Sequence, residues 1–287
     1  MRSERTHSGA LLRAAALFLA LVLLAPAAFL TSCGRTAPVA PMDVRILNVG
    51  KADCILIETG GHLVVIDTGT KDTALTVADT VCKAGNVVDL LILTHYDKDH
   101  IGGVKKMLKK NEVRAVCLPS YEVKEEAAEI KSLIAAEGLE PVIVSKKLTY
   151  TFGDAVFTIY PSSITSLEDD DDASNISSLV IHAAHGKNTF LFAGDADKSR
   201  LKEVLDQLGS KANVDFLKVP HHGKQCGKSD KFFETTRPGY AVICCSKSDP
   251  ADDAVVAKLE KIGAEVFFTY NGTVSVSSDG KTIAVTQ

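Results

Sequence analysis

The chain has 287 residues, is 46% hydrophobic, and carries 32 Lys and Arg against 36 Asp and Glu, for a net charge of −4 at neutral pH. That length and apolar content supply one sizeable core and exclude a disordered or fibrous chain. The acidic balance excludes a general attraction to polyanions.

Residues 1–32 stand apart from the rest. Arg2, Arg5 and Arg13 precede the apolar stretch Ala14 to Leu30, which Pro26 interrupts and Leu30-Thr31-Ser32-Cys33 closes. A basic start, an apolar middle and small residues before a break describe an export signal. The Leu-Thr-Ser-Cys ending resembles a bacterial lipobox, which implies that Cys33 becomes the lipidated first residue, held outside the cytoplasm at a membrane surface by diacyl attachment. The alternative is an uncleaved anchor, at the short edge of the roughly 17–25 apolar residues a span requires. Residues 33–42 then form a short tether and 43–287 one domain. Without the three arginines and one glutamate of 1–32, that mature part has 29 Lys and Arg against 35 Asp and Glu.

Apolar, often β-branched runs at 43–49, 53–58 and 62–67 predict an opening meander of strands. A helix over 72–84 leads to a strand at 87–93, followed by strand 113–118, helix 122–137 and strand 141–144. Strands are expected at 148–152, 155–160, 178–184, 188–194 and 213–219, with helices at 197–208, 229–235 and 251–262. The tail adds strands at 240–245, 264–269, 272–277 and 281–285, joined by Asn271-Gly272 and Asp279-Gly280 turns. Lys98, Lys105, Lys106, Lys109, Lys110 and Arg114 have the spacing of a solvated helix face, and Glu168 to Asp172 read as an exposed loop.

Metal-ligand chemistry collects at three strand ends. Thr94 to Gly103 directly follows the apolar run Leu90 to Leu93 and packs His95, Asp97, Asp99 and His100 into six residues. Side chains two apart on an extended segment point the same way, so His95, Asp97 and Asp99 converge, and His100 turns in where the backbone bends at Gly102 and Gly103. Imidazole and carboxylate together suit a divalent transition metal. Asp195 follows the run Thr189 to Ala193, and His221 and His222 follow Leu217-Lys218-Val219-Pro220. Only one of two adjacent histidines is expected to face a metal.

In that order, Ile46 to Gly50 with Asp53, Val65-Ile66-Asp67-Thr68-Gly69, the HxDxDHxGG loop, Asn175 to Val180, Ala193-Gly194-Asp195 and Val219-Pro220-His221-His222-Gly223 resemble the metallo-β-lactamase superfamily. Within it they are similar to the hydrolase domain of the DNA-uptake protein ComEC, over about residues 43 to 285. The resemblance implies an α/β four-layer αββα sandwich with two divalent metal ions, Zn or Mn, at one edge. His95 and Asp97 would hold the first ion, Asp99, His100 and one of His221 and His222 the second, and Asp195 would bridge them. Asp99, Asp53 and Lys218 are the expected catalytic groups, the attacking group is a metal-bound hydroxide, and Asp67 and Asn175 support the ligands from behind.

Asp97 stands where most of the superfamily has a second histidine, and Asn175 stands near a further histidine of β-lactamases and ribonuclease Z; ComEC-like domains share both features. The poorer nitrogen set favours harder ions such as manganese over a second tight zinc. One departure from ComEC-like domains is the run Lys247-Ser248-Asp249-Pro250, where they have an Asn, Tyr, Gly and His segment. The expected function is a metal-dependent hydrolase, a phosphodiesterase or nuclease, with a phosphodiester substrate such as nucleic acid, the membrane as anchor through its lipid, and no obligate protein partner. The alternatives are a binding or surface-assembly lipoprotein with weakened catalysis, and a β-lactam or lactone hydrolase. His62, His182 and His185 read as structural or exposed. The cysteines after Cys33 read as buried free thiols, with Cys226 nearest the site.

Overall fold

The computed structural model describes residues 39–121, 125–164 and 172–287. The expected export signal, Cys33 and most of the acidic run 168–172 lie outside the described residues. Residues 39–41, read as the end of a tether, are tied to the domain: Ala40 N–H donates to Asp154 Oδ2 at 2.8 Å, and the Ala40 carbonyl lies 2.8 Å from His185 Nε2.

Two sheets face each other. The first runs, from edge to edge, Ile283–Thr286, Val274–Ser278, Met42–Ile46, Ile55–Thr59, His62–Ile66, Leu90–Ile92, Val116–Pro119 and Val142–Val144. The second runs Glu265–Phe268, Tyr240–Ile243, Phe216–Lys218, Asn188–Phe192, Val180–His185, Ala155–Tyr160 and Leu148–Phe152. Each sheet joins an antiparallel half to a parallel half. Antiparallel neighbours need only tight turns, whereas parallel ones need crossovers, and the crossovers supply the helices.

Continuous apolar runs form these strands because both faces are covered. Ile57, Val64, Ile92, Phe192, Phe216 and Val242 point between the sheets into the central core. Their neighbours Leu56, Val65 and Leu91 point the other way, against Val77, Val81, Val104, Met107, Ile130 and Ile134 from helices Ala74–Lys83, Val104–Lys110 and Glu126–Ala136. On the far side Leu191, Leu217 and Ile243 meet Leu201, Val204, Phe232, Phe233, Val255 and Leu259 from helices Lys198–Leu208, Ser229–Thr236 and Asp253–Lys261. The result is the expected order of helix, sheet, sheet and helix layers. Among the described residues, no helix is long and apolar enough to cross a membrane.

Two local expectations are corrected. The strand 87–93 breaks into Val87–Val88, which pairs with Glu112–Val113 in a separate ladder, and Leu90–Ile92 in the main sheet. Asp89 makes the break: its carboxylate accepts from Leu63 N–H at 3.0 Å and from Arg114 Nη1 at 2.7 Å. The segment after Leu93 is not extended through Asp99, because Asp97 begins the helical turn Lys98–Ile101, with the His100 N–H donating to the Asp97 carbonyl at 2.9 Å. The lysines 105, 106, 109 and 110 do form an exposed helix face. Cys54, Cys82, Cys117, Cys226, Cys244 and Cys245 are free thiols.

Candidate metal centre

The candidate site lies where the C-terminal ends of the central strands of both sheets meet. His62–Ile66 delivers Asp67, Leu90–Ile92 the segment from Thr94 to His100, Asn188–Phe192 delivers Asp195, and Phe216–Lys218 leads into the histidine pair. A backbone bond joins the two halves, Leu179 N–H donating to the Thr94 carbonyl at 2.9 Å, and within the second sheet His221 N–H donates to the Gly194 carbonyl at 3.2 Å.

Asp67 organises the first loop. Its backbone sits at φ 57°, a conformation that costs a non-glycine residue energy and persists where surrounding contacts hold it. Its carboxylate accepts from Thr94 N–H at 2.8 Å and Thr94 Oγ1 at 2.7 Å, and meets His100 Nδ1 at 2.8 Å. With Nδ1 held by Asp67, His100 presents Nε2 to the site, the arrangement that aims and strengthens a histidine ligand. The turn is packed too tightly for a side chain at Gly103, where a Cβ would lie 2.3 Å from the Thr68 carbonyl oxygen.

Asp99, His100, Asp195 and His222 offer ligand atoms that all lie within 4.8 Å of one another. His100 Nε2 is 3.3 Å from Asp195 Oδ1, and His222 Nε2 is 3.1 Å from Asp195 Oδ2 and 3.2 Å from Asp99 Oδ2. His222 Nδ1 faces the Cys244 carbonyl at 2.8 Å, which fixes the ring with Nε2 inward. His95 is fully buried beside them, its ring 4.0 Å from that of His100 and its Nε2 3.9 Å from Asp97 Oδ2. Asp97 also accepts a short hydrogen bond from Ser174 Oγ.

Buried polar atoms almost always find hydrogen-bond partners. Here His95 Nε2, His100 Nε2, His222 Nε2 and Asp195 Oδ1 are buried and have none. Three imidazole nitrogens and a carboxylate oxygen left open in one cluster fit divalent cations.

The electrostatics agree with that donor set. Burial, helped by the neighbouring His100, pushes His95 down to about 3, so its ring is a neutral ligand. Burial also disfavours charge on His100 and His222, but Asp195 and Asp67 outweigh it and hold His100 well above its ordinary value. Asp195, then Asp99 and Asp53, raise His222 to about 9. Asp195 is buried, yet His222, His100 and Lys218 hold its carboxyl well below the usual range. Without metal the cluster stores protons at the positions a cation would take.

The profile of the Metallo-beta-lactamase superfamily matches residues 47–247. The chain belongs to this superfamily. Its curated relatives include ComE operon protein 3 of Bacillus subtilis, 28% identical over 229 residues covering 72% of this chain and 29% of that protein. Recombination protein 2 of Haemophilus influenzae is 27% identical over 219 residues, 72% of this chain and 25% of its own length. The chain thus spans less than a third of either relative. Among solved structures, the metallo-beta-lactamase fold protein YhfI from Bacillus subtilis superposes with a TM-score of 0.58 at 13% identity, covering 83% of this chain and 100% of that one. Igni18, a metallo hydrolase from Ignicoccus hospitalis, gives 0.51 at 15% identity over 81% and 98% of the two chains. These likenesses support the fold of a superfamily of largely hydrolytic metalloenzymes.

Several residues of this superfamily member lie elsewhere than expected. Lys218 does not face a substrate: it is fully buried, donates to the Gly194 carbonyl at 2.9 Å, forms a short ion pair with Asp53, and lies 3.5 Å from Asp195 Oδ1. Those carboxylates hold its ammonium above the ordinary lysine range against the pull of burial. Asp53 is buried behind the cluster with it, so neither fits a role in direct contact with substrate. His221 turns away from the four-residue cluster, with Nε2 3.3 Å from Asn175 Nδ2 and Nδ1 3.6 Å from Asp197 Oδ2. Asn175 therefore backs His221 rather than a ligand of that cluster.

Sequence reasoning passed over Thr94, whose hydroxyl links Asp67 to His95 Nδ1 at 3.0 Å, and Ser174 and Asp197 at the rim. A hydroxyl between the last apolar residue of a strand and the first ligand was the available signal for Thr94. In place of the missing Asn, Tyr, Gly and His segment, Asp249 pairs at 2.8 Å with both Lys51 and Lys224, which lower its carboxyl to about 2.

Proposed function

We propose that this hydrolase-fold chain is a divalent-metal-dependent phosphodiesterase, acting outside the cytoplasm from a lipid anchor at Cys33, with nucleic acid as a substrate class. The single observation that carries the metal dependence is the convergence of His100 Nε2, His222 Nε2 and Asp195 Oδ1, all buried and unpartnered. Asp99, His100, Asp195 and His222 would hold one cation, and His95 with Asp97 would add donors for another. Such ions polarise a phosphoryl oxygen and make water acidic near neutral pH.

The protein's own residues prepare that chemistry. Asp67 fixes the His100 ring, the Cys244 carbonyl fixes that of His222, and both aim Nε2 at the same point. Asp99, only half-buried, is the member of the four-residue cluster most open to the cleft. Mixed carboxylate and imidazole donors favour manganese or zinc. The competence-related names of curated relatives support a phosphodiester over a lactam, and Competence protein ComA of Neisseria gonorrhoeae, 25% identical over 220 residues, adds to them.

Elemental analysis of protein purified without chelator, paired with bis(p-nitrophenyl) phosphate hydrolysis in added manganese or zinc, tests the reading. Bound metal with turnover that disappears in Asp99→Ala supports it; no turnover with either ion overturns it. Anchoring is tested separately by fatty-acid labelling, which Cys33→Ser should abolish.

A further inference from the structure

Two groups of candidate ligands share His100. One is the cluster of Asp99, His100, Asp195 and His222; the other is Asp53, Asp67 and His100. The second group is already engaged. Asp67 spends both oxygens on Thr94 and His100, and Asp53 Oδ2 is paired with the Lys218 ammonium.

The surroundings of that ammonium are those of a bound cation. Nζ is encircled by the Gly194 carbonyl oxygen at 2.9 Å, Asp53 Oδ2, and Asp195 Oδ1 at 3.5 Å, and the side chain is wholly shielded from water. Two carboxylates and a carbonyl make an all-oxygen set of the kind that takes hard divalent ions. Asp53 Oδ1 is itself buried without a hydrogen-bond partner, 3.6 Å from His222 Nδ1, so once His222 is neutral as a ligand this carboxylate relies on Lys218 for its counter-charge.

We infer that the Lys218 ammonium is a tethered cation that takes the place of an additional divalent ion between Asp53 and Asp195. It neutralises Asp53, steadies Asp195 from behind, and confines metal to the open side of the Asp195 carboxylate. Lys218 is thus a positioning residue that sets how many ions the centre holds. The inference rests on the metal-centre reading above and concerns stoichiometry rather than turnover.

Methionine ends one atom short of the lysine nitrogen, so Lys218→Met opens the Nζ position and leaves Asp53 unpaired. Equilibrium dialysis of the full-length chain in detergent against Mn2+ then compares three proteins. Lys218→Met should bind one more Mn2+ per chain than wild type, and Asp53→Asn/Lys218→Met should return to the wild-type number. An unchanged or lower number in Lys218→Met overturns the inference, as does an extra ion that persists in the double variant. Should Lys218→Met be unfolded without metal, recovery of its circular dichroism on adding Mn2+ supports the inference, and a chain that stays unfolded in millimolar Mn2+ overturns it. Wild type that binds no Mn2+ beside a variant that binds one removes the metal-centre reading alone; wild type that binds Mn2+ beside an unchanged variant removes this inference alone.

Discussion

Arg200 and Lys218 are both fully buried cations, and the protein surrounds them in opposite ways. Arg200 donates to the Ser178 carbonyl at 3.0 Å, to that of Tyr160 at 2.8 Å, to Glu203 at 2.6 Å and to Gln207 at 2.9 Å. Burial lowers it to about 10, against the pull of Glu203, so it stays charged at neutral pH. No side-chain atom of this network is left without a partner. Around Lys218, by contrast, Asp53 Oδ1, Asp195 Oδ1, His100 Nε2 and His222 Nε2 are all open. A polar network that only holds the fold closes on itself, whereas one made to receive a ligand leaves donor atoms unspent. The first ties helix Lys198–Leu208 to the segments on either side of the rim; the second forms the floor of the centre.

The largest effect that would break this contrast is on stability. Arg200→Met strands the Ser178 and Tyr160 carbonyls in the interior, while the partly buried Glu203 keeps Ser162, Ser163 and Gln207 as donors, and each buried acceptor left unsatisfied costs about 1–3 kcal/mol. Calorimetry should show that loss whether or not metal is present; a cost below about 1 kcal/mol would mean the network is not structural. His222→Ala acts on binding as well: it should lower melting in chelator at neutral pH, because the imidazolium no longer pairs with Asp195 and Asp99, and it should lower Mn2+ affinity beyond the roughly 10–100-fold associated with losing an outer partner. His221→Ala, its neighbour outside the cluster, should keep metal affinity, and equal losses in the two variants would refute the assignment of His222 as the ligand.

Asp67→Ala should fall between these, with metal affinity reduced about 10–100-fold because His100 loses its orienting carboxylate. Isothermal titration checks it, and an unchanged affinity would show that the ring is held by packing alone.

The smallest and most gradual effect is on pH. In metal-free protein His222 is raised from 6.5 to about 9, and His100 is raised as well. The stabilisation from His222 is therefore complete below pH 6.5 and is lost as pH rises through about 9, and His100 contributes in the same direction. Protons and metal compete for the same nitrogens, so Mn2+ affinity should rise across that window while the stability of chelated protein falls. Urea melts and metal titrations at pH 6 and 9 measure the two slopes; parallel slopes would show that the protons do not occupy the ligand nitrogens.

Much of the site was legible because its residues interrupt apolar runs at strand ends, where a polar side chain has nothing to gain from the core. Asp67 after Val64-Val65-Ile66, Thr94 to His100 after Leu90 to Leu93, and Asp195 after Phe192-Ala193 all follow that rule. The alternation of inward and outward apolar residues likewise made the strands legible and, with the family resemblance, the four layers.

The sequence by itself determined the strand order of polar chemistry, the helix and strand periods, and the set of residues able to bind metal. Tertiary structure alone decided which of His221 and His222 turns inward, because both adopt the same left-handed backbone and only the Cys244 carbonyl and Asn175 tell them apart. It also decided that Lys218 points into the protein, since the last residue of a parallel strand faces water or carboxylates according to what the neighbouring strands bring beside it. Asp53 arrives there from 165 positions away along the chain, a pairing no local pattern encodes.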